Sequence, residues 1–316
     1  MKKKKVLVCG ATGFIGRNIL ERLAKLKNFE LHATFNKKKA FKIKNVNWHQ
    51  ANLLKKKSVD KVFSNKDIVI QCAAVTSGIK DIADKPYIHI TDNVVLNSLM
   101  LRGAHDHKIK HFIFFSCTLM YHNSHIPLRE NDYNYLKKIN PKYFGGAWNK
   151  LYFEKMCQFF SNIGKTKFTV IRHSNVYGPY DKFDLEKSHV FGATVTKVFR
   201  AEKSITVWGD GKEKRDLLYI DDLVRFVCLA LQKQKKQYEL MNCGLGKAIS
   251  VKNLVKKIIK FSGKDLSIEF DNNKPNVNSF LSLNCEYAQK KIGWKPLVDI
   301  DAGIRKTIEW YKKSYL

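Results

Sequence analysis

Three glycines spaced by three, Gly10, Gly13 and Gly16, follow the apolar run Val6 to Cys9. Glycines at this spacing permit a tight turn, close approach of the backbone to a pyrophosphate, and close packing of a helix on a strand. With Thr12, Phe14 and Ile15 between them, they form a loop that opens a helix. The N-terminus of that helix would point unpaired N–H groups and the positive dipole end at the phosphates. The chemistry implied is dinucleotide binding. Other side chains with chemical potential lie further on. Cys117 closes an apolar run beside Thr118 and is either core or a contact to substrate or nicotinamide. His173 ends another such run and either faces the nicotinamide or is structural. Lys150 precedes Glu154 by one helical turn, a spacing that an ordinary surface ion pair would satisfy. Trp208 offers a face to stack on a base or to pack beneath a lobe.

The elements that must position these residues follow from periodicity. Val6 to Cys9, Glu30 to Phe35, Val46 to Gln50, Asp67 to Cys72, Lys110 to Ser116 and Phe168 to Arg172 read as strands. Ile15, Ile19, Leu20 and Leu23, then Thr91 to His105 and Asn149 to Asn162, carry helical spacing. Strands alternating with helices predict an α/β fold with a parallel, doubly wound sheet and ligands at the strands' C-terminal ends. After Asn175 the texture becomes irregular, which predicts a smaller C-terminal α/β substrate lobe. The expected division is a dinucleotide-binding domain over 1–173 plus a returning segment at about 216–242, and a second lobe over 174–215 and 243–316. Helices are expected at Asp221 to Gln232 and Asp301 to Lys313. The second strand ends at Asn36, which can hydrogen-bond a ribose hydroxyl, before Lys37, Lys38 and Lys39. The cofactor is read as NAD(H), with NADP(H) the alternative.

Of 316 residues, 44% are hydrophobic, which suits a globular chain. No apolar run is long enough to span a bilayer, and the run after the opening lysines stops at Gly10, so a cytoplasmic protein without membrane attachment is expected. Seven cysteines show no CxxC and no metal spacing, so no metal site is expected. The net charge is +30, from nine arginines and 49 lysines against 28 acidic residues. The lysines are spread along the whole chain without an arginine-rich or aromatic-interleaved patch, which argues against nucleic acid and suits an anionic small substrate.

Taken together, Gly10 to Gly16, Asn52-Leu53, Ala73-Ala74 with Val75, Asp92-Asn93-Val94, Lys150 and Asn175 to Pro179 make the chain resemble the extended short-chain dehydrogenase/reductase family of nucleotide-sugar epimerases, dehydratases and reductases. The segments Asn175 to Phe183, Ser188 to Val190, Val207 to Gly211 and Arg215 resemble its GDP-sugar branch, the GDP-L-fucose synthases. The resemblance implies that Asn36, Asn52, Leu53, Ala73, Ala74, Val75, Asn93, Lys150 and His173 attend the cofactor. It implies that Asn175, His189, Lys197, Trp208 and Arg215 attend a GDP-linked sugar, Lys197 and Arg215 through the diphosphate. It also implies a homodimer or homotetramer, with the helices at Thr91–His105 and Asn149–Asn162 paired across a two-fold axis.

The departures from that family narrow the chemistry. The family's catalytic hydroxyl falls on Cys117, its catalytic tyrosine on Gly146, and the dehydratase Asp-Glu pair on Thr118-Leu119. The cysteine base of fucose synthases falls on Leu119, whereas His189 matches their histidine. Tyr143 lies one turn before the tyrosine position. The resemblance therefore implies hydride transfer at C4 of a GDP-linked hexose or heptose without carbon-acid chemistry, similar to GDP-heptose 4-dehydrogenases of capsule or lipopolysaccharide biosynthesis. Lys150, Thr118, Cys117 and His189 are its catalytic candidates, and His173, Tyr143 or a water on Lys150 are further proton relays. A nucleotide-sugar 4-epimerase is the alternative enzyme. A non-catalytic dinucleotide sensor or assembly protein is the alternative of another class.

Overall fold

The computed structural model describes residues 3–75, 86–134, 136–137, 139, 141–185, 188–273 and 279–316. The first half alternates as expected: β1 (Lys4–Cys9), α1 (Phe14–Ala24), β2 (Phe29–Phe35), β3 (Val46–Gln50), α2 (Lys56–Phe63), β4 (Ile68–Gln71), α3 (Pro86–Asp106), β5 (His111–Ser116), α4 (Phe144–Ile163) and β6 (Lys167–His173). The second half runs β7 (Asn175–Tyr177), α5 (Val190–Arg200), β8 (Ser204–Trp208), β9 (Lys214–Tyr219), α6 (Ile220–Lys233), β10 (Tyr238–Cys243), β11 (Ala248–Ser250), α7 (Val251–Ser262), β12 (Ser267–Asp271), α8 (Glu286–Ile292) and α9 (Ile300–Tyr315).

The large sheet has seven strands in the order β10-β6-β5-β4-β1-β2-β3, all paired in parallel. Its central strands are apolar on both faces because helices cover both. Ile19, Leu20 and Leu23 of α1 and Leu223, Phe226 and Val227 of α6 pack on one face with Val6, Val8 and Ile70. Leu96, Met100 and Leu101 of α3 and Phe153 and Cys157 of α4 pack on the other with Leu7, Phe112, Phe114 and Val170. Strand order reverses at β1, between β2 and β4, which places the crevice for a ligand at the glycine turn.

Two small sheets follow, β7-β9-β11 and the parallel pair β8-β12. The expected returning segment begins inside β9, which belongs to the small three-stranded sheet. The chain rejoins the large sheet through α6 and β10. Two helices start earlier than their periodicity predicts, α3 at Pro86 and α4 at Phe144. The first turn of α4 contains Gly145 and Gly146, whose low helix propensity hides it. A Cβ on Gly145 would lie 2.0 Å from Ile90 Cδ1, so a side chain there would have to push the Ile90 side chain aside. All seven cysteines are unbridged.

Candidate active site

The glycine turn is built to leave its backbone bare. Gly10 adopts φ +68°, and a Cβ there would lie 2.6 Å from Ala73 Cα. A Cβ on Gly16 would lie 2.4 Å from the Gly10 carbonyl oxygen. Neither position admits another residue without moving backbone. Thr34 closes the turn from β2: its hydroxyl accepts from Gly10 N at 3.0 Å, and its carbonyl accepts from Ala11 N. No side chain caps α1 at Gly13, and its first turn holds no acidic residue. The helix therefore keeps N–H donors and a positive end toward the crevice, which fits a dinucleotide pyrophosphate. Thr12, Phe14 and Ile15 line it half-buried, and Asn36 is exposed just beyond β2.

The neighbouring loops are pinned by side chains of the large sheet and α3. Gln71 exchanges two hydrogen bonds with the backbone of Ala73 and donates to Asn97. Asn93 does the same for Val75, at 3.0 and 2.9 Å. Asn52 accepts from Leu54 N at 3.1 Å and Leu53 is buried. Ala74 is exposed. So Asn93 and Asn52 shape the loops beside the glycine turn, a positioning role that spacing alone does not reveal.

Lys150 lies on α4, one turn after Gly146. Its ammonium donates to the Phe115 carbonyl at 2.7 Å and sits 5.0 Å over the Phe114 ring. Burial lowers its pKa, while the acidic groups Cys117, Glu154 and Cys157 oppose that shift. Lys150 does not pair with Glu154 as the helical spacing would allow. Glu154 is buried and receives a bidentate pair from Arg172, at 2.9 and 2.6 Å, plus the Ser116 hydroxyl at 2.6 Å. Arg172 also donates to the Tyr121 hydroxyl, which donates to Asn242, and the Asn242 backbone donates to Glu130. This network joins β5, β6, α4 and β10 beneath the cleft. A run of apolar residues broken by one charge in β6 is the signal that was available for it.

Cys117 and Thr118 follow β5 and are half-buried. Burial raises the Cys117 thiol pKa, with Lys150 pulling the other way. The thiol is therefore a neutral group rather than a base. His173, half-buried at the end of β6, has its pKa pushed down to about 4, chiefly by burial, and is neutral. Its Nδ1 meets the Ser174 carbonyl at 2.8 Å, and a carbonyl only accepts, so the proton sits on Nδ1 and Nε2 carries a lone pair. Its ring stands edge-on to Phe115, on the sheet face opposite Lys150.

The remaining predicted groups come from the second half of the chain. Asn175 donates to the Asp216 carbonyl at 3.3 Å. His189 precedes α5 and is exposed, its pKa lowered by loss of solvent and by the charges of Lys182 and Arg215. Lys197 donates to the Thr206 carbonyl at 2.9 Å and sits 5.4 Å over Trp208, which is 47% exposed. Arg215 pairs with Glu213 and has the Tyr143 hydroxyl as a second partner. Tyr143 stands immediately before α4, which packs on the large sheet, and so reaches Arg215 from that side. Counted along the chain, Tyr143 lies a turn before the tyrosine position, and Glu213 belongs to no motif. Two residues before Arg215 on an extended chain, Glu213 falls on the same face, which is the signal that could have found it. Among the described residues, no cluster of His, Cys, Asp and Glu could hold a metal ion, and no helix is long and apolar enough to cross a membrane.

With the glycine cradle, the anchored lysine and the doubly wound sheet in place, the class is a dinucleotide-dependent enzyme of nucleotide-sugar type. The profile of the "NAD dependent epimerase/dehydratase family" matches residues 6–244, and the chain belongs to that family of NAD-dependent enzymes. It is similar to a GDP-L-colitose synthase of Yersinia pseudotuberculosis, 25% identical over 314 residues and 97% of each chain. It is likewise similar to a GDP-L-fucose synthase of Azorhizobium caulinodans, 26% identical over 98% of this chain and 97% of that one. Among solved structures it shares its fold with a GDP-6-OMe-4-keto-L-xylo-heptose reductase from C. jejuni, at TM-score 0.85, 21% identity and 99% coverage of each chain.

Proposed function

We propose that this enzyme moves a hydride between NAD(H) and C4 of a GDP-linked hexose or heptose, interconverting the sugar with its 4-keto form. The observation that carries this reading is the juxtaposition of Leu119 with Gly146. A Cβ on Gly146 would meet only Leu119 Cδ1, at 3.4 Å. Leu119 stands where the GDP-L-fucose synthases carry a carbon-acid base, so no group there takes a proton from C3 or C5, and redox at C4 is what remains. GDP as the nucleotide is supported by the relatives' names and by the Asn175 to Arg215 segments.

In this reading the α1 N-terminus and the glycine cradle hold the pyrophosphate, Asn36 the adenosine ribose, and Lys150 the nicotinamide ribose. A bound nicotinamide supplies the hydride acceptor or donor. Lys150 keeps a positive charge fixed beside it through the Phe115 carbonyl. His173, uncharged, lies where it adds no second cation against an oxidised ring. Cys117, as a thiol, and Thr118 offer hydrogen bonds to the sugar hydroxyl, and His189 and a Lys150-held water are the routes for its proton. Lys197, Trp208 and Arg215 hold the nucleotide. The lobes divide as 1–173 with about 220–243, against 174–219 and 244–316.

The reading extends to a homodimer through α3 and α4. Phe144, Trp148, Tyr152, Phe159 and Ile163 form an exposed stripe along α4, with Tyr87 and Val95 exposed on the adjacent α3. An apolar face of this extent favours a partner, and light scattering is expected to show a dimer or tetramer that Trp148→Glu dissociates. The functional test is single-turnover formation of reduced nicotinamide, or its consumption, across a panel of GDP-sugars and their 4-keto forms. A change of absorbance at the nicotinamide band supports the proposal. Binding of both ligands with no absorbance change for any sugar favours the non-catalytic reading.

A further inference from the structure

Arg215 is held in a way that phosphate binding alone does not explain. Its side chain is 22% exposed, and its Nη2 donates to Oε1 of Glu213, itself only 14% exposed. The Tyr143 hydroxyl is a second partner, reaching from the start of α4. The guanidinium Nε is buried with no partner. A guanidinium is a rigid fork of five donors matched to paired oxygens. Here a carboxylate from two residues away takes one prong, and a buried donor is left over. The group is arranged for an anion with more oxygens than Glu213 supplies.

We propose that Glu213 is an internal stand-in for the diphosphate of the nucleotide sugar, displaced when that ligand binds, with Arg215 and Tyr143 then donating to the diphosphate from the two sides of the cleft. The inference rests on the nucleotide-sugar reading above. A carboxylate and a diphosphate cannot both occupy an enclosed guanidinium, because like charges at contact repel strongly where water is scarce. The diphosphate carries more charge and offers paired oxygens, so it wins. Glu213 lies between Lys212 and Lys214, and Lys212 is strongly exposed, so a displaced carboxylate has cationic neighbours and solvent. Gly211, at φ +70°, gives the preceding turn its form. Two consequences follow. The stand-in keeps a buried arginine paired while the site is empty. It also sets a threshold, because a monophosphate displaces it less well than a diphosphate does.

The test is isothermal titration of GDP, UDP and GMP into the full-length protein and its variants, with NADH titrated alongside. Glu213→Gln is expected to tighten GDP about tenfold and to narrow the preference for GDP over GMP, because the ligand no longer competes with a carboxylate. Glu213→Asp, with its carboxylate drawn back by one methylene, is expected to tighten GDP by a smaller factor, and it serves if the glutamine variant does not fold. Tyr143→Phe is expected to weaken GDP about fivefold. NADH affinity is expected to stay constant throughout. Unchanged or weaker GDP and UDP binding in Glu213→Gln and Glu213→Asp, in proteins that bind NADH normally, overturns the inference alone. Failure of wild type and all variants to bind either diphosphate overturns the nucleotide-sugar reading and the inference with it.

Discussion

Gly146 faces Leu119 across the start of α4, with 3.4 Å between the place of a missing Cβ and the leucine Cδ1. Two positions that carry acid/base groups in related enzymes are thus neighbours here, and both lack a titratable atom. A Cβ fits at that distance without displacing backbone, but a phenol ring would compete with Leu119 for the same space. Gly146→Tyr paired with Leu119→Ala is therefore expected to raise steady-state turnover by about 10²-fold over Leu119→Ala alone, the scale of one positioned acid/base. NAD(H)-linked absorbance measures it. A well-folded double variant with no gain would show that the proton already has an adequate route.

Lys150 is expected to be indispensable for hydride transfer. Removing it takes away the charge anchored on the Phe115 carbonyl and one hydrogen bond to that carbonyl. Lys150→Ala should slow single-turnover nicotinamide reduction by about 10²-fold or more, while a nucleoside diphosphate, bound in the other half of the cleft, retains its affinity. Equal rates for wild type and variant would remove Lys150 from the reaction.

The buried Glu154–Arg172 pair is predicted to be structural. Glu154→Ala leaves an uncompensated guanidinium among buried partners and is expected to cost about 3–5 kcal/mol, read by urea unfolding. Replacing both, as Glu154→Leu with Arg172→Met, should recover much of that loss, since an apolar pair of similar volume avoids the desolvation of two charges. If the double variant is as unstable as the single one, the hydrogen bonds to Ser116 and Tyr121 matter more than the charges.

Asp181 supplies a pH dependence. Burial pushes its pKa up to about 7 from an ordinary 3.8, and its Oδ2 has no partner. Between those values the folded protein binds a proton that the unfolded chain has lost. Stability therefore falls as pH rises through this window and levels off above it. Asp181→Asn removes the linkage. Its stability to urea should exceed that of wild type near pH 8 by at most about 4 kcal/mol, and the gap should close near pH 4. A constant gap at all pH values would mean that Asp181 stays ionised when folded.

Much of the fold is legible in the sequence because each central strand is a continuous apolar run and two of the three glycines of the turn have a steric reason to be there. Val46 to Gln50 emerges with the bounds that its residues suggest, and Gly10 and Gly16 prove to be places where any Cβ meets backbone. What stays hidden depends on distance in space rather than in sequence. The spacing of Lys150 and Glu154 suggests a pair, yet Glu154 turns inward to Arg172, 18 residues away on β6. Tyr143 looks misplaced when counted along a helix, but it precedes the helix and is not bound by its period. Its proximity to Arg215 arises only once α4 and β9 are folded against the same cleft.

The chain leaves the large sheet after β6 and re-enters it at β10, which pairs along the whole of β6 from Phe168 to His173. The small sheets are thus interleaved with the large one, since β7, β8 and β9 lie between β6 and β10 while β11 and β12 follow it. A chain cut after His173 would not be a minimal cofactor-binding unit. It would expose β6 as an unpaired, apolar edge, a template for aggregation. The large sheet is therefore completed only after the segment carrying β7, β8 and β9 has been made.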